Sequence, residues 1–172
     1  MNEMSTDKID TLRQFRSHWL QEIALLSTDQ LQQIPAGFNN NILWNLGHLL
    51  ASMQLIFYKR AGLPLTVDEQ FISPFLPGTV PDVTWTAAEI ATIQHLSVSS
   101  LDAMQKDYWE KDFSHYIQSE NIERLYGIKV STIDDALDFL LFHEGYHGGR
   151  IITIKKLVKD EKTADEQTRQ LL

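Results

Sequence analysis

Two histidines set four residues apart, His143 and His147, stand in the segment Phe139 to Ile151, FLLFHEGYHGGRI. On a helix they lie one above the other on a single face. Ala136, Leu140, Ile151, Ile154 and Val158 share that face by spacing, so the histidines point inward. A second stripe, Trp44, His48, Ala51 and Leu55, turns His48 toward a core as well. A buried polar group without a partner costs about 1–3 kcal/mol, and three inward imidazoles each need one. One divalent ion satisfies all three together; neutral imidazole suits zinc, nickel, copper and iron alike. The alternative is three core histidines with separate hydrogen-bond partners.

His143-Glu144-Gly145-Tyr146-His147 also fits the H-E-x-x-H pattern of zincins, in which the glutamate is a general base. No histidine follows His147, and Thr153 and Ile154 occupy the spacing of the extended motif's last ligand. Glu161 and Glu166 are the later glutamates, near the end of the helix, so proteolysis is disfavoured. Glu144 is a candidate base or ligand-orienting group, or else a partly exposed helix glutamate. Gly145, Gly148 and Gly149 interrupt this helix at about 1 kcal/mol each relative to Ala, and Gly47 directly precedes His48. Such glycines fit a close backbone approach or ligand entry; a kink is the alternative. His18, His95 and His115 fall off the stripes or in a connection and read as surface residues.

Four long helices must position these groups, and periodicity places them at about Thr6–Leu26, Asn41–Gly62, Thr86–Lys106 and Ser131–Lys159. Asn39, Asn40 or Asn41 can cap the second, and Pro64 prevents its continuation. Thr86-Ala87-Ala88-Glu89 is a capping-box pattern, and Asp134 and Asp135 sit in the first turn of the fourth helix. Lys155, Lys156 and Lys159 read as a solvated helix end. Two connections are long: Leu63 to Trp85, with four of the five prolines and Phe71 and Phe75, and Asp107 to Val130. Connections of this length often cover a site, or they wrap the ends of the helices. The expected architecture is all-α: a four-helix bundle with long connections between helices 2 and 3 and between 3 and 4, in a single domain over residues 1–172.

Composition narrows the function. With 15 Lys+Arg against 23 Asp+Glu, the net charge of -8 argues against nucleic acid as a partner. The absence of Cys removes disulfides, thiolate metal sites, Fe–S clusters and a cysteine nucleophile. Residues 30–58 contain no charged side chain, but the apolar part, Ile42 to Tyr58, is shorter than the roughly 20 residues of a membrane span. It also carries Asn45, His48, Ser52 and Gln54, and a buried helix is the better reading. Residues 1–10 lack a basic and an apolar signal region. The cytoplasm, with no membrane partner, is the expectation.

The run Asn40-Asn41-Ile42-Leu43-Trp44-Asn45-Leu46-Gly47-His48-Leu49, followed by His143-Glu144-Gly145-Tyr146-His147-Gly148-Gly149-Arg150-Ile151, resembles the DinB-like (damage-inducible) superfamily. The resemblance spans most of the chain, and these two motifs are its specific part. It implies a four-helix bundle, commonly a homodimer, that holds one divalent metal through His48, His143 and His147. Arg150 stands where the family often has Gln, which leaves the ligands untouched. Members of known activity are thiol S-transferases using bacillithiol or mycothiol; others are labelled metal-dependent hydrolases. Zinc or nickel is the metal expected there, and the resemblance implies a low-molecular-weight thiol cosubstrate and a small electrophilic substrate. Three imidazoles leave coordination positions open, where a thiol would lose its proton and become a strong nucleophile. An activated water would make the protein a hydrolase instead; a non-enzymatic metal-binding or dimerisation module is the third reading. Trp44, Phe71, Phe75 and Arg150 are candidates for the pocket.

Overall fold

The computed structural model describes residues 3–169, with side chains described over residues 7–158. The side chains of Lys159, Glu161 and Glu166 therefore lie outside the described ones. The regular elements among the described residues are all helices, with no strand. Four long helices, α1 (Glu3–Ile23), α3 (Ile42–Met53), α4 (Ala87–Glu110) and α6 (Ile133–Arg169), carry the core. α1 and α3 each pack against both α4 and α6. Two shorter helices, α2 (Thr28–Gln32) and α5 (Glu120–Tyr126), lie in the connections.

The caps follow side-chain chemistry. Ser27 and Gln30 close a capping box on α2, and Thr86 and Glu89 close one on α4. Among the three asparagines, Asn41 is the cap of α3, its side chain accepting from the Trp44 N–H at 2.7 Å. Every residue of α3 is buried, which is what its lack of charge requires. The second helix does not run unbroken to Gly62. It passes at Gln54–Tyr58 into a π-helical turn and at Lys59–Ala61 into a 3₁₀ turn. Gly62 then takes a φ of +71°, a left-handed stop that residues with a side chain rarely adopt. Gln54, fully buried, bonds the Thr66 hydroxyl and N–H at 2.9 and 2.8 Å, fixing the chain beyond that stop.

Along α1 a stripe of Ile9, Leu12 and Ile23 is buried, while Phe15 is exposed. The stripe also contains a charge: Arg16 is 1% exposed. α1 lies close against α6 because Gly148 admits the Trp19 ring; a Cβ there would meet that ring at 2.2 Å. Lys155 bonds Glu22 of α1 at 2.6 Å and is half-buried rather than part of a solvated end. The connection after α3 carries two 3₁₀ turns, Glu69–Phe71 and Ser73–Phe75. Phe75 stacks on Trp85 with ring centroids 5.3 Å apart. No helix among the described residues is long and apolar enough to cross a membrane.

Candidate metal centre

α3 contributes His48 and α6 contributes His143 and His147, all three buried. One nitrogen from each lies within 4.8 Å of the others, a grouping that could hold a metal ion. Two of the three rings, His48 and His147, are oriented from outside. His48 Nδ1 lies 2.7 Å from the Phe75 carbonyl oxygen, so it must donate and leave Nε2 without a proton. The Ser52 hydroxyl donates to that Nε2 at 3.3 Å. His147 Nδ1 lies 2.8 Å from Asn45 Oδ1. Asn45 Nδ2 donates to the Asn41 carbonyl at 2.7 Å, so the amide oxygen is the atom that faces His147, and Nδ1 again donates. Hydrogen bonds of this kind fix the tautomer and ring angle of metal-ligating histidines. His143 Nδ1 is buried without a partner.

Electrostatics keeps the cluster neutral. Burial lowers the His143 pKa to about 2, helped by the charges of His147, His48 and Arg16. Burial lowers His147 to about 3, followed by repulsion from His48 and Arg150. His48 is lowered by burial against the opposing bond to Phe75. Three neutral imidazoles, two of them oriented and the third with an orphaned nitrogen, fit a divalent cation by donor set and protonation state.

The remaining candidates separate. Trp44 stacks on the His48 ring at 4.6 Å and 10° and walls one side of the cluster; its Nε1 donates to the Thr79 hydroxyl at 3.0 Å. Phe75 contributes its carbonyl, and its ring fills the space over Gly47, where a Cβ would meet it at 2.5 Å. Phe71 packs at 6.3 Å on Trp85 and does not line the cavity at His48 and His143. Arg150 is exposed and lies over the Tyr146 ring. Glu144 is neither exposed nor among the grouped ligands. It is 1% exposed, and Arg16 Nε donates to its Oε2 at 3.1 Å. Burial raises its carboxyl pKa against the pull of Arg16. The glycines divide too: Gly148 and Gly47 admit side chains rather than backbone, while Gly145 and Gly149 face open space. His18, His95 and His115 are exposed, as expected.

Sequence reading missed Asn45 and Ser52 as partners of the histidines and Arg16 as the partner of Glu144. The first two carried a signal: a polar side chain in an uncharged, buried helix needs a bond. A cavity of about 430 Å³ reaches the cluster and is lined by His48, Ser52, Phe139 and His143, with α5 contributing Ile122. A smaller one beside Trp44 and Phe75 stays clear of the histidines. No curated protein matches the sequence. The family model of the DinB superfamily matches residues 11–151. That match runs from within α1 past both histidine motifs, and the chain belongs to the DinB superfamily.

Proposed function

We propose that the protein is a metal-dependent thiol S-transferase acting on a small electrophile. The observation that carries this reading is the cavity opening onto His48 and His143, which gives a small molecule access to a histidine site instead of sealing it. His48, His143 and His147 would hold one divalent ion, with zinc and nickel as the first candidates. Bound there, a divalent cation with open positions lowers the pKa of a thiol brought to it. In the transfer the thiol gives up its proton to solvent, its sulfur forms a bond to the electrophilic carbon, and the leaving group departs with the electrons of the broken bond. The cosubstrate supplies the sulfur, since the chain has no Cys. Phe75 and Asn45 hold two imidazoles in the tautomer that keeps Nε2 free of a proton.

A hydrolase on the same site is disfavoured by Glu144. In the H-E-x-x-H mechanism that carboxylate handles the proton of the attacking water, but here Arg16 holds it. The four-helix-bundle description, a homodimeric assembly and a cytoplasmic location belong to this proposal; the packing of α1 and α3 against α4 and α6 supports the first. Metal analysis by mass spectrometry on untagged wild type and on His48→Ala tests the site. About one ion per chain, lost in the variant, is expected. Monobromobimane consumption with added thiol should then require the loaded protein. Thiol-independent turnover of esters would favour hydrolysis, and no metal after reconstitution would overturn both.

A further inference from the structure

The cavity at His48 and His143 has a second, basic pole. Arg60 and Arg124 line it, and no aspartate or glutamate does, in a chain with 23 acidic residues and 15 basic ones. Neither guanidinium has a carboxylate within ion-pair distance among the described residues. Arg60 is held in place. Its Nη1 donates to the carbonyls of Ile117 and Gln118 at 3.3 and 2.7 Å. The Ile117 N–H donates back to the Arg60 carbonyl at 2.8 Å. The Tyr116 hydroxyl donates to the Ile56 carbonyl, also at 2.8 Å. These bonds latch the connection after α4 onto the turn that ends the α3 segment. On Arg124, Nη2 donates to Asn121 Oδ1 at 3.4 Å. The rest of the lining is mixed, with the apolar Ile56, Ile122 and Phe139 alongside the polar Ser52, Ser119 and Asn121.

A fixed guanidinium is a fork for an oxyanion, carboxylate and phosphate alike. We infer that the cavity takes an anionic small molecule whose carboxylate or phosphate group lies against Arg60 and Arg124 while its reactive end reaches the histidines. The reactive end rests on the function proposed above; the anion-binding end stands on the two arginines.

Titration calorimetry on the purified protein tests the basic pole with succinate, its neutral analogue succinamide and inorganic phosphate. Succinate is expected to bind about tenfold tighter than succinamide, with that preference lost in Arg124→Gln and Arg60→Met. A preference for phosphate lost in the same variants would assign the group as phosphate. Arg124 is exposed, so an unchanged melting temperature is expected for its variant, and Arg60→Met provides the second reading. Equal binding of succinate and succinamide, with no phosphate binding, would overturn the inference, as would a preference that survives both substitutions. Mercaptosuccinate separates the two proposals. If succinate binds through the arginines but mercaptosuccinate gains nothing on the metal-loaded protein, the thiol reading fails and the anion pocket stands.

Discussion

Arg16 and Glu144 meet at 3.1 Å, each 1% exposed, between α1 and α6. The same guanidinium donates to the Ser97 carbonyl of α4 at 2.8 Å and to the Leu49 carbonyl of α3 at 3.1 Å. Leu49 follows His48 and Glu144 follows His143, so one side chain ties the neighbours of two site histidines together across all four long helices. Removing one partner of a buried pair leaves the other charge uncompensated and costs about 3–5 kcal/mol. Arg16→Met should lose that much in urea unfolding, and Arg16→Met/Glu144→Leu should recover part of it. If Arg16→Met unfolds like the wild type, the pair does not hold the helices together. Glu144→Gln should keep its metal, because the carboxylate is outside the ligand group.

This pair also shows where reading the sequence stops. The three histidines were legible because a polar residue on an apolar stripe stands out against its neighbours. Arg16 was not, because an arginine beside such a stripe is ordinarily solvent-exposed, and its partners come from segments 33, 81 and 128 residues away. The long helices were legible from periodicity and caps. The π turn at Gln54–Tyr58 was not, since it leaves the apolar pattern intact while changing the hydrogen bonding. The Phe75 carbonyl that orients His48 carries no side-chain signal at all.

Asn45 presents its amide oxygen to His147 at 2.8 Å. Without it the imidazole loses its preferred tautomer and its ring angle. Asn45→Ala should weaken metal affinity about 10–100-fold, the usual effect of losing an outer-shell partner. Competition with a fluorescent zinc chelator measures this. Unchanged affinity would mean that Asn45 serves only its bond to Asn41.

The glycines of α6 should respond in opposite directions. At Gly145 and Gly149 an added Cβ meets nothing within 4 Å. Alanine should therefore stabilise by up to about 1 kcal/mol at each through helix propensity. At Gly148 the Cβ would meet the Trp19 ring at 2.2 Å, and alanine should cost about 1–3 kcal/mol by forcing α1 away. Melting temperatures of the three single variants check this, and a Gly148→Ala protein as stable as the wild type would show that Trp19 yields easily. Gly47→Ala should displace the Phe75 ring and reduce metal content, because the Phe75 carbonyl orients His48.

Acid should destabilise the metal-stripped protein from near neutrality downward. The His143 and His147 pKa values are lowered to about 2 and about 3, primarily by burial, and that of His48 is lowered by burial too. The unfolded chain titrates its histidines near 6.5. Below that pH the unfolded state binds protons that the folded state refuses, so stability falls as pH drops. Above about 6.5 both states hold neutral imidazoles, and the contribution is fully present. Glu144 acts in the opposite sense. Its raised pKa gives a contribution that is present in acid and lost as pH rises through the folded value. Three histidines against one carboxylate leave the acid-labile direction dominant. Urea midpoints at pH 7, 6 and 5 should decline for stripped wild type and stay nearly flat for His48→Gln/His143→Gln/His147→Gln. A parallel decline in both proteins would move the acid sensitivity away from the histidine cluster. Zinc at pH 7 should raise the wild-type midpoint alone, because an ion held on the proposed site would bind only the folded state.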